Sequence, residues 1–211
     1  MLQAASSYPD TLVQSLCTNP GEPDIVVTLI TGPDPTGTEY TLNSFMHCCT
    51  DISRVGRFVA LDTGLSTDDR ARLSKRYPLI DFIDPGPAEG HRAHLTYLRE
   101  RVDARFWLHL GEGWTFFAPE NLITRLAAVL QAEPLVIQVG VNFADAVEPT
   151  GTCAPEAAVK RAPEAGRYVL TDTLAIGPAM YDTERLHAAG ETRATDPDPI
   201  KKLGRRAVAA G

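Results

Sequence analysis

The chain has 211 residues, of which 44% are hydrophobic and 22% are charged, and it carries a formal net charge of −7. This length and apolar content suit one soluble domain with a sizeable core, and wholesale disorder is not expected. The acidic balance argues against a general surface for nucleic acid or anionic membranes, although it leaves room for a local basic pocket that holds a phosphate. No apolar run approaches the length that spans a bilayer, so a transmembrane protein is not expected.

The first 23 residues end in Thr-Asn-Pro-Gly-Glu-Pro and are interpreted as a leader or a short helix joined by a loop. They contain neither a basic start nor a continuous apolar stretch, so they are not predicted to be a secretory signal peptide. The cysteines form no Cys-X-X-Cys pair, which makes zinc or a disulfide framework improbable; they are Cys17, Cys48, Cys49 and Cys153. Buried, reduced thiols in a cytoplasmic protein are the simpler interpretation.

From residue 24 onwards, strand-like and helix-like segments alternate. Short β-rich apolar runs predict five strands, at 24–30, 57–62, 79–84, 105–110 and 135–141. Apolar residues at helical spacing predict four helices between them, over 40–49, from Ser66 to Tyr77, around 91–102, and from Pro119 to about 130. Strands separated by single helices are typical of βαβ units, so we predict an α/β fold with an open, mainly parallel sheet flanked by helices.

The alternation breaks after residue 141. Residues 142–167 are rich in Ala, Pro, Glu and Gly without a sustained period, which predicts a long loop over one face of the domain. A strand is predicted at 168–177, followed by a short helix that Asp182 caps and Gly190 ends, and by a final helix over 200–208. Residues 24–211 are therefore expected to form a single domain.

Polar residues follow the ends of the predicted strands. Thr31 and Gly32 follow the first strand, Asp62 and Asp84 end the second and third, and Glu112 comes after the fourth. Ligands of an open parallel sheet bind at the carboxyl ends of its strands, where these residues are expected to meet. Each acid alone is also typical of a loop cap, and only the combination favours a site for a ribose, a base or a metal.

The order and spacing of four segments carry a resemblance to a known family. The segments are VVTLITGPDPTGTEYTLNSF, RFVALDTG, GHRAHLTYLRERVDARFWLHLGEGWTFFAPENLITRL and AIGPAMYDTERLHAAG. Together they resemble a nucleotide-sugar glycosyltransferase of the GT-A fold, family-2-like, over roughly residues 24–211. The resemblance implies a Rossmann-like sheet and the transfer of a sugar from a nucleoside-diphosphate donor to a hydroxyl acceptor.

The resemblance also implies roles for individual residues. Thr31, Gly32 and Asp62 match the positions that hold the nucleoside, and Asp84 matches an acid that often lies near the base. The segment before the fourth strand approaches the diphosphate in such enzymes, and its basic residues here are His91, Arg92 and His94.

The fourth strand of the family normally ends in an acidic DxD-like signature, and relatives often read close to Glu-Asp-Asp-Trp. The aligned residues here are Gly111, Glu112, Gly113 and Trp114. A DxD acid gives carboxylate oxygens to a hard cation that bridges the donor phosphates. One carboxylate predicts at most a weak, nucleotide-dependent Mn²⁺ or Mg²⁺ site at Glu112, and a Gly-Glu-Gly turn without metal is equally compatible with the pattern. Trp114 is interpreted as a core or pocket-wall aromatic residue.

The family's second catalytic element is an acidic pair before the last helix, of which one member deprotonates the acceptor hydroxyl. Asp196 and Asp198 match this region. A general base must be an exposed carboxylate positioned near the reacting carbon. Both residues are equally compatible with acids that cap a helix, because Asp198-Pro199 is a good helix start in its own right.

Two other functions compete with sugar transfer. The Gly-Glu-Gly replacement and the chain end at Gly211 favour a degenerate GT-A domain that binds a nucleotide or a partner protein without turnover. A nucleotidyltransferase ranks last, because no glycine-rich basic phosphate loop follows the first strand. His109 alternates with apolar strand residues and is predicted to be a hydrogen-bonded sheet histidine rather than a catalyst. A homo-oligomer is also compatible with the sequence.

Overall fold

A computed structural model describes residues 22–87, 89–141, 159–170 and 177–190, and every structural statement below concerns these residues. Their elements in chain order are β1 (Glu22–Thr31), α1 (Pro35–Cys48), β2 (Val55–Asp62), α2 (Thr67–Arg76), β3 (Ile80–Ile83), α3 (His91–Arg99), β4 (Phe106–Leu110), α4 (Leu122–Ala132), β5 (Gln138–Gly140), β6 (Val159–Ala162), β7 (Gly166–Val169), β8 (Ala179–Asp182) and α5 (Thr183–Ala188). Among the described helices, none is long and apolar enough to cross a membrane.

Six strands form one sheet in the order β3-β2-β1-β4-β8-β5. β1 pairs in parallel with β2 and β4, and β2 pairs in parallel with β3. β8 runs antiparallel to both β4 and β5. The predicted α/β fold with an open, mainly parallel sheet is therefore confirmed. The strand order reverses between β1 and β4, and this switch point is where an open sheet offers a crevice for ligands.

Helices cover both faces of the sheet, which explains why its central strands are continuous apolar runs. On one face, Val27 of β1 packs in a buried cluster with Phe45 of α1 and Leu126 of α4. On the other face, Trp107 of β4 packs in a second cluster that includes Leu98 of α3. The sheet is thus packed between helices on both faces. The loops at its carboxyl edge begin at strand ends that this packing holds rigidly.

The first two helices begin at side-chain caps. Asp34 accepts a hydrogen bond from the backbone N–H of Thr36, and Pro35 occupies the first turn of α1. Ser66 accepts from the backbone N–H of Asp69, so the capping box predicted for α2 is confirmed. The start predicted for α1 at residue 40 was too late, because the first turn contains no apolar stripe and depends on Asp34 and Pro35 instead.

The helix predicted to open at 119–120 begins later, at Leu122. The backbone of Glu120 pairs instead with the end of α1, in a short parallel bridge to Cys49. The carboxylate of Asp51 then caps α4 from a distant part of the chain, accepting a hydrogen bond from Ile123 N–H at 3.1 Å. Tertiary contacts, rather than local sequence, fix this helix start.

The later part of the chain departs most from the sequence-based expectation. The loop predicted over 142–167 contains a β-hairpin at its end, β6 and β7, which pair antiparallel with Val159 opposite Val169. The hairpin packs on α4 through Ala165 and Tyr168, so burial against a helix stabilises strands whose own sequence lacks a clear period. Residues 142–158 lie outside the described part of the chain.

Two strand predictions also need correction. The strand predicted at 135–141 is shorter, 138–140. The strand predicted at 168–177 belongs in part to β7, and the next strand is β8 at Ala179–Asp182, which the helix cap at Asp182 concealed in the sequence. Residues 171–176 and the helix predicted over 200–208 lie outside the described ranges, as does the leader before β1, which begins at Glu22 rather than residue 24.

Candidate functional site

The carboxyl ends of four parallel strands bring the sequence-predicted residues to one edge of the sheet. Asp62 of β2 lies directly opposite Thr31 of β1 in the strand register. β4 runs on the other side of β1, with Leu110 opposite Leu29, and Glu112 follows as the chain leaves the strand. The expectation that the carboxylates of Asp62 and Glu112 share one edge of the sheet is confirmed.

The Glu112 side chain folds back onto the loop between β1 and α1. Its Oε1 atom accepts a hydrogen bond from the backbone N–H of Gly32 at 3.0 Å. The same oxygen accepts a second hydrogen bond, from the hydroxyl of Thr38 in the first turn of α1, at 3.1 Å. The positive end of a helix dipole favours a carboxylate at this place. Glu112 therefore joins the loop after β4 to the loop after β1.

Gly111 leaves space for an aromatic ring. A Cβ atom at Gly111 would lie 2.4 Å from Cδ1 of Trp114, and one at Gly177 would lie 2.5 Å from Cζ2 of the same indole. The half-buried Trp114 ring thus lies against two glycines that precede and follow it in the chain. The first position of the signature cannot carry an acidic side chain while the indole occupies this space.

The turn between these residues depends on a second glycine. Gly113 adopts φ of +77°, which favours glycine because it has no Cβ. The chain then returns so that Trp114 N–H donates to the carbonyl of Gly111 at 3.3 Å, and the hydroxyl of Thr41 donates to that carbonyl at 3.2 Å. The segment Gly111–Trp114 is therefore a tight, anchored turn.

Asp62 is buried at the end of β2, with a side chain only 7% exposed. Its Oδ1 accepts hydrogen bonds from the backbone N–H groups of Gly64 and Leu65, at 3.0 and 2.9 Å. Its Oδ2 lies 3.4 Å from Nη1 of Arg70 on α2. These contacts satisfy the carboxylate within the protein and shape the loop after β2.

Arg70 joins Asp62 to Asp84. The same Nη1 atom makes a short hydrogen bond to Oδ1 of Asp84, and Nη2 donates to the carbonyl of Phe82 at 2.8 Å. Asp84 is 75% exposed, so its carboxylate stays accessible to a ligand while Arg70 fixes its orientation. Sequence reasoning missed Arg70, because an arginine on the surface of an amphipathic helix carries no local signal of its partners.

Thr31 and Thr63 shape the edge of the sheet, because their hydroxyl groups are already hydrogen-bonded within the protein. The Thr31 hydroxyl is buried and donates to the carbonyl of Leu61 at 3.3 Å. The hydroxyl of Thr63 donates to the carbonyl of Thr31 through a short contact. These bonds tie the ends of β1 and β2 together directly below the loop that includes Gly32.

The basic residues predicted near a diphosphate lie in the first turn of α3. Gly90 precedes the helix with φ of +83°, and the exposed residues His91 and Arg92 begin it, followed by the buried His94. Desolvation and the nearby His94 lower the pKa of His91. The helix start adds a partial positive charge to this basic turn.

His109 lies below this edge, in the buried part of β4. Its Nδ1 atom is 2.9 Å from the hydroxyl oxygen of Thr28, which also accepts a hydrogen bond from the indole of Trp107 at 2.7 Å. Complete burial lowers the pKa of His109 to about 3. The imidazole is neutral at physiological pH, and the predicted hydrogen-bonded sheet histidine is confirmed.

Asp196 and Asp198, the predicted base residues, lie outside the described residues. The segment that carries them leaves α5 at Gly190, whose carbonyl accepts a hydrogen bond from Nη2 of Arg99 at 2.8 Å. Arg99 also donates to the carbonyl of Leu186 at 3.1 Å, so α3 and the end of α5 are linked.

The described residues do not form a metal site of their own. They contain no group of three or more His, Cys, Asp or Glu side chains that could hold a metal ion. Both hydrogen bonds that these residues make to Glu112 end on Oε1, which leaves Oε2 as one protein ligand for a cation that prefers six or more oxygens. The signature position therefore does not fit a metal ion held by the protein.

Known structures share the fold, whereas no protein-family model and no curated protein matches the sequence. A mannosyltransferase from Pyrobaculum calidifontis, solved with GDP-Man and Mn²⁺, has a TM-score of 0.63 at 12% identity, over 97% of this chain and 59% of its own. Glucosyl-3-phosphoglycerate synthase from Mycobacterium tuberculosis, solved with UDP, has a TM-score of 0.54 at 12% identity, over 96% of this chain and 69% of its own. A complex of that synthase with Mn²⁺, UDP and glucosyl-3-phosphoglycerate gives 0.53.

The resemblance expected from the four sequence segments is thus found again in three dimensions, over almost the whole chain. At such low identity the likeness concerns the backbone. The chain has the fold of the GT-A-type glycosyltransferases.

Proposed function

We propose that this chain binds a nucleoside-diphosphate sugar at the carboxyl edge of its sheet and transfers the sugar to a hydroxyl acceptor. The observation that carries the proposal is the meeting of four strand ends at the switch point, where Glu112 contacts Gly32 and Arg70 joins Asp62 to Asp84. Structures of the same fold were solved with GDP-Man or UDP, which supports a nucleotide donor. We take residues 24–211 as one donor-binding domain.

The nucleoside would lie across the ends of β1, β2 and β3. Asp84 offers the accessible carboxylate, which can accept a hydrogen bond from an N–H group of a base. Asp62 would act chiefly by holding the loop after β2, since its oxygens already face Gly64, Leu65 and Arg70. Gly32 and the buried Thr31 would form the floor under the nucleoside.

The diphosphate would lie between the turn after β4 and the start of α3. Arg92 and the helix dipole supply positive charge where the leaving group becomes more negative, and His91, whose pKa is lowered, would donate a hydrogen bond as a neutral imidazole. A divalent cation, Mn²⁺ or Mg²⁺, would be held weakly and mainly by the phosphates, with Oε2 of Glu112 as one ligand. When bound, such an ion neutralises phosphate charge.

For the chemical step, we assign the base to Asp196 or Asp198. The carboxylate would accept the proton of the acceptor hydroxyl while its oxygen bonds to the anomeric carbon. The bond from that carbon to the diphosphate oxygen breaks, and the nucleoside diphosphate leaves with the electron pair. This is an inverting displacement, for which the chain must bring an aspartate to the face opposite the leaving group.

A second candidate is a domain that binds the nucleotide without turnover. The specific observation in its favour is the Trp114 indole, which fills the space of the first signature acid above Gly111. Both candidates require nucleotide binding and differ only in sugar transfer. The buried free thiols of Cys48 and Cys49 agree with a cytoplasmic protein in either case.

The first test is a thermal-shift panel of uridine and guanosine diphosphates and their sugars at millimolar concentration. A ligand that binds only the folded protein raises its melting temperature by mass action. We expect a shift in the wild-type protein, its loss in Asp62→Ala, and a weaker shift in Asp84→Ala. A panel without any shift would refute both candidates.

Asp81→Ala is a matched control for Asp84→Ala. Asp81 lies on β3, the strand that Asp84 follows, is 60% exposed and also pairs with an arginine, Arg57 at 3.2 Å, but it is away from the carboxyl edge. Its nucleotide response should equal that of the wild type. Release of nucleoside diphosphate from a donor sugar then separates the candidates, because turnover supports transfer and binding without release supports the second candidate.

A further inference from the structure

The contacts of Glu112 indicate a role that needs no metal. We propose that Glu112 is a positioning residue, which clasps the loop after β1 and the first turn of α1 (residues 32–38) in the shape that receives the nucleotide. This inference rests on the proposed nucleotide site and adds a residue role to it. The clasp consists of the carboxylate of Glu112 and its two donors, Gly32 N–H and the Thr38 hydroxyl.

The loop is shaped around the Glu112 side chain. A Cβ atom at Gly32 would lie 3.1 Å from Oε2 of Glu112, and one at Gly37 would lie 3.1 Å from its Cγ. Two glycines therefore let the backbone approach the side chain more closely than other residues would allow. Thr38 is completely buried, so its hydroxyl is held towards the carboxylate. The backbone at Gly32 and Gly37 therefore contacts the exposed Glu112 side chain from two sides.

The other end of the clasp is equally fixed. Glu112 belongs to the tight turn that Gly113 allows and that Trp114 closes through its hydrogen bond to Gly111. The indole lies against Gly111 and Gly177, so the turn cannot rotate without moving a large ring. The turn after β4 thus presents Glu112 to the β1–α1 loop from a rigid base.

A clasp and a metal ligand make opposite demands on residue 112. The clasp needs an oxygen that accepts two hydrogen bonds, which the amide oxygen of glutamine also supplies. A carboxylate binds a hard cation more strongly than the neutral amide oxygen of glutamine does, so glutamine weakens a metal ligand while it preserves the clasp. The clasp acts whether or not a cation is present, whereas a metal ligand contributes only when the cation is there.

Calorimetric titration with UDP and GDP, in EDTA and in Mn²⁺, tests the clasp in the wild type and in Glu112→Gln, Glu112→Ala and Thr38→Val. In EDTA we expect Glu112→Ala to weaken the affinity by about tenfold, since it leaves the Gly32 N–H and the Thr38 hydroxyl without their acceptor. Thr38→Val removes one donor and should weaken affinity by roughly threefold, while Glu112→Gln should stay close to the wild type. Equal affinities of the wild type and Glu112→Ala in EDTA would overturn the clasp, as would equal losses in the Gln and Ala variants.

Hydrogen exchange separates a failure of the clasp from a failure of the nucleotide site. Without any nucleotide, Glu112→Ala should speed the exchange of the Gly32 amide, and Glu112→Gln should not. Glu39→Ala is the control, because Glu39 follows Thr38 on α1 but pairs with Arg72 and Arg76 of α2. If no nucleotide binds the wild type, the proposed function fails while exchange still tests the clasp. Unchanged Gly32 exchange in Glu112→Ala refutes the clasp itself.

Discussion

The two halves of the candidate site are built in different ways. At the ends of β2 and β3, Arg70 links two carboxylates, so this half is a network of charged groups. At the end of β4, a single carboxylate bonds to a loop and an indole lies against two glycines, so this half depends on close packing. The first half presents an exposed carboxylate that can accept a hydrogen bond from a ligand, whereas the second is a tight turn.

This difference indicates where each half is sensitive to mutation. A packed turn is destabilised when volume is added, because interiors are close-packed and the added atoms collide with a neighbouring ring. A charged network fails when a partner is removed and a buried polar group is left without a hydrogen bond. The predictions below test this contrast, in the order of their expected effect.

The largest effect is expected for Gly111→Ala. Its Cβ would lie 2.4 Å from Cδ1 of Trp114, so the indole must shift, and we expect the free energy of unfolding to fall by about 3 kcal/mol. Denaturant unfolding measures this loss. The double variant with Trp114→Ala should lose less than the sum of the two single variants, because the clash is gone. A Gly111→Ala protein as stable as the wild type would refute the packed turn.

Asp62→Ala should have the next largest effect. It leaves the N–H groups of Gly64 and Leu65 without their acceptor and deprives Arg70 of a partner, which costs about 2 kcal/mol of stability. Asp84→Ala, at a carboxylate that is 75% exposed, should cost less than about 0.5 kcal/mol. Equal losses in the two variants, measured by urea unfolding, would contradict the division between a buried anchor and an exposed recognition group.

Much of this edge could be predicted from the sequence, because strand ends can be read from apolar runs. Asp62, Asp84 and Glu112 each follow such a run, and the βα alternation puts those ends on one side. The N-terminal cap at Ser66 was equally legible, since Asp69 follows it at the spacing of a capping box. These are local signals with a fixed geometric meaning.

The remaining features depend on contacts between distant residues. Arg70 reaches both Asp62 and Asp84 only because β2 and β3 are neighbours, and no spacing in the sequence expresses that. The space above Gly111 is filled by Trp114 only when Gly177 closes the other side of the ring. Likewise, the hairpin of β6 and β7 contacts α4 through Tyr168 and Ala165, although its own sequence has the composition of a loop.

A third prediction concerns the pH dependence of stability that the neutral, buried His109 of β4 should cause. The pKa of the buried His109 is about 3, below that of an unfolded histidine, so the unfolded state binds the extra proton as the pH falls below about 6.5. The wild type should therefore lose about 1.4 kcal/mol of stability by pH 5.5, relative to pH 7.5, through this residue.

His109→Gln is the control for this pH effect. Glutamine can keep a hydrogen bond with the Thr28 hydroxyl, which lies 2.9 Å from Nδ1 of His109, but it does not titrate. Stability curves of the two proteins between pH 5.5 and 7.5 should differ in slope, with the wild type falling more steeply towards acid pH. Parallel curves would show that His109 takes up its proton equally in the folded and unfolded states and would contradict its burial as a neutral group.

The smallest effect is expected for the gain in nucleotide affinity from Mn²⁺, and its measurement in two variants compares the two halves directly. Of the two Glu112 carboxylate oxygens, Oε2 accepts no hydrogen bond from the described residues and can bind a cation, so Mn²⁺ should tighten nucleotide binding by about threefold at most, and Glu112→Gln should remove this gain. Asp84→Ala should weaken nucleotide binding with or without Mn²⁺ and leave the ratio of the two affinities unchanged, because Asp84 is at the other half. Calorimetric titrations of the three proteins measure both quantities.

A Mn²⁺ gain of about a hundredfold would mean that the β4 half holds a metal ion well, which a single carboxylate oxygen cannot do. A metal response that changes in Asp84→Ala as well would mean that the two halves act as one unit, and the division between a recognition network and a packed turn would be wrong.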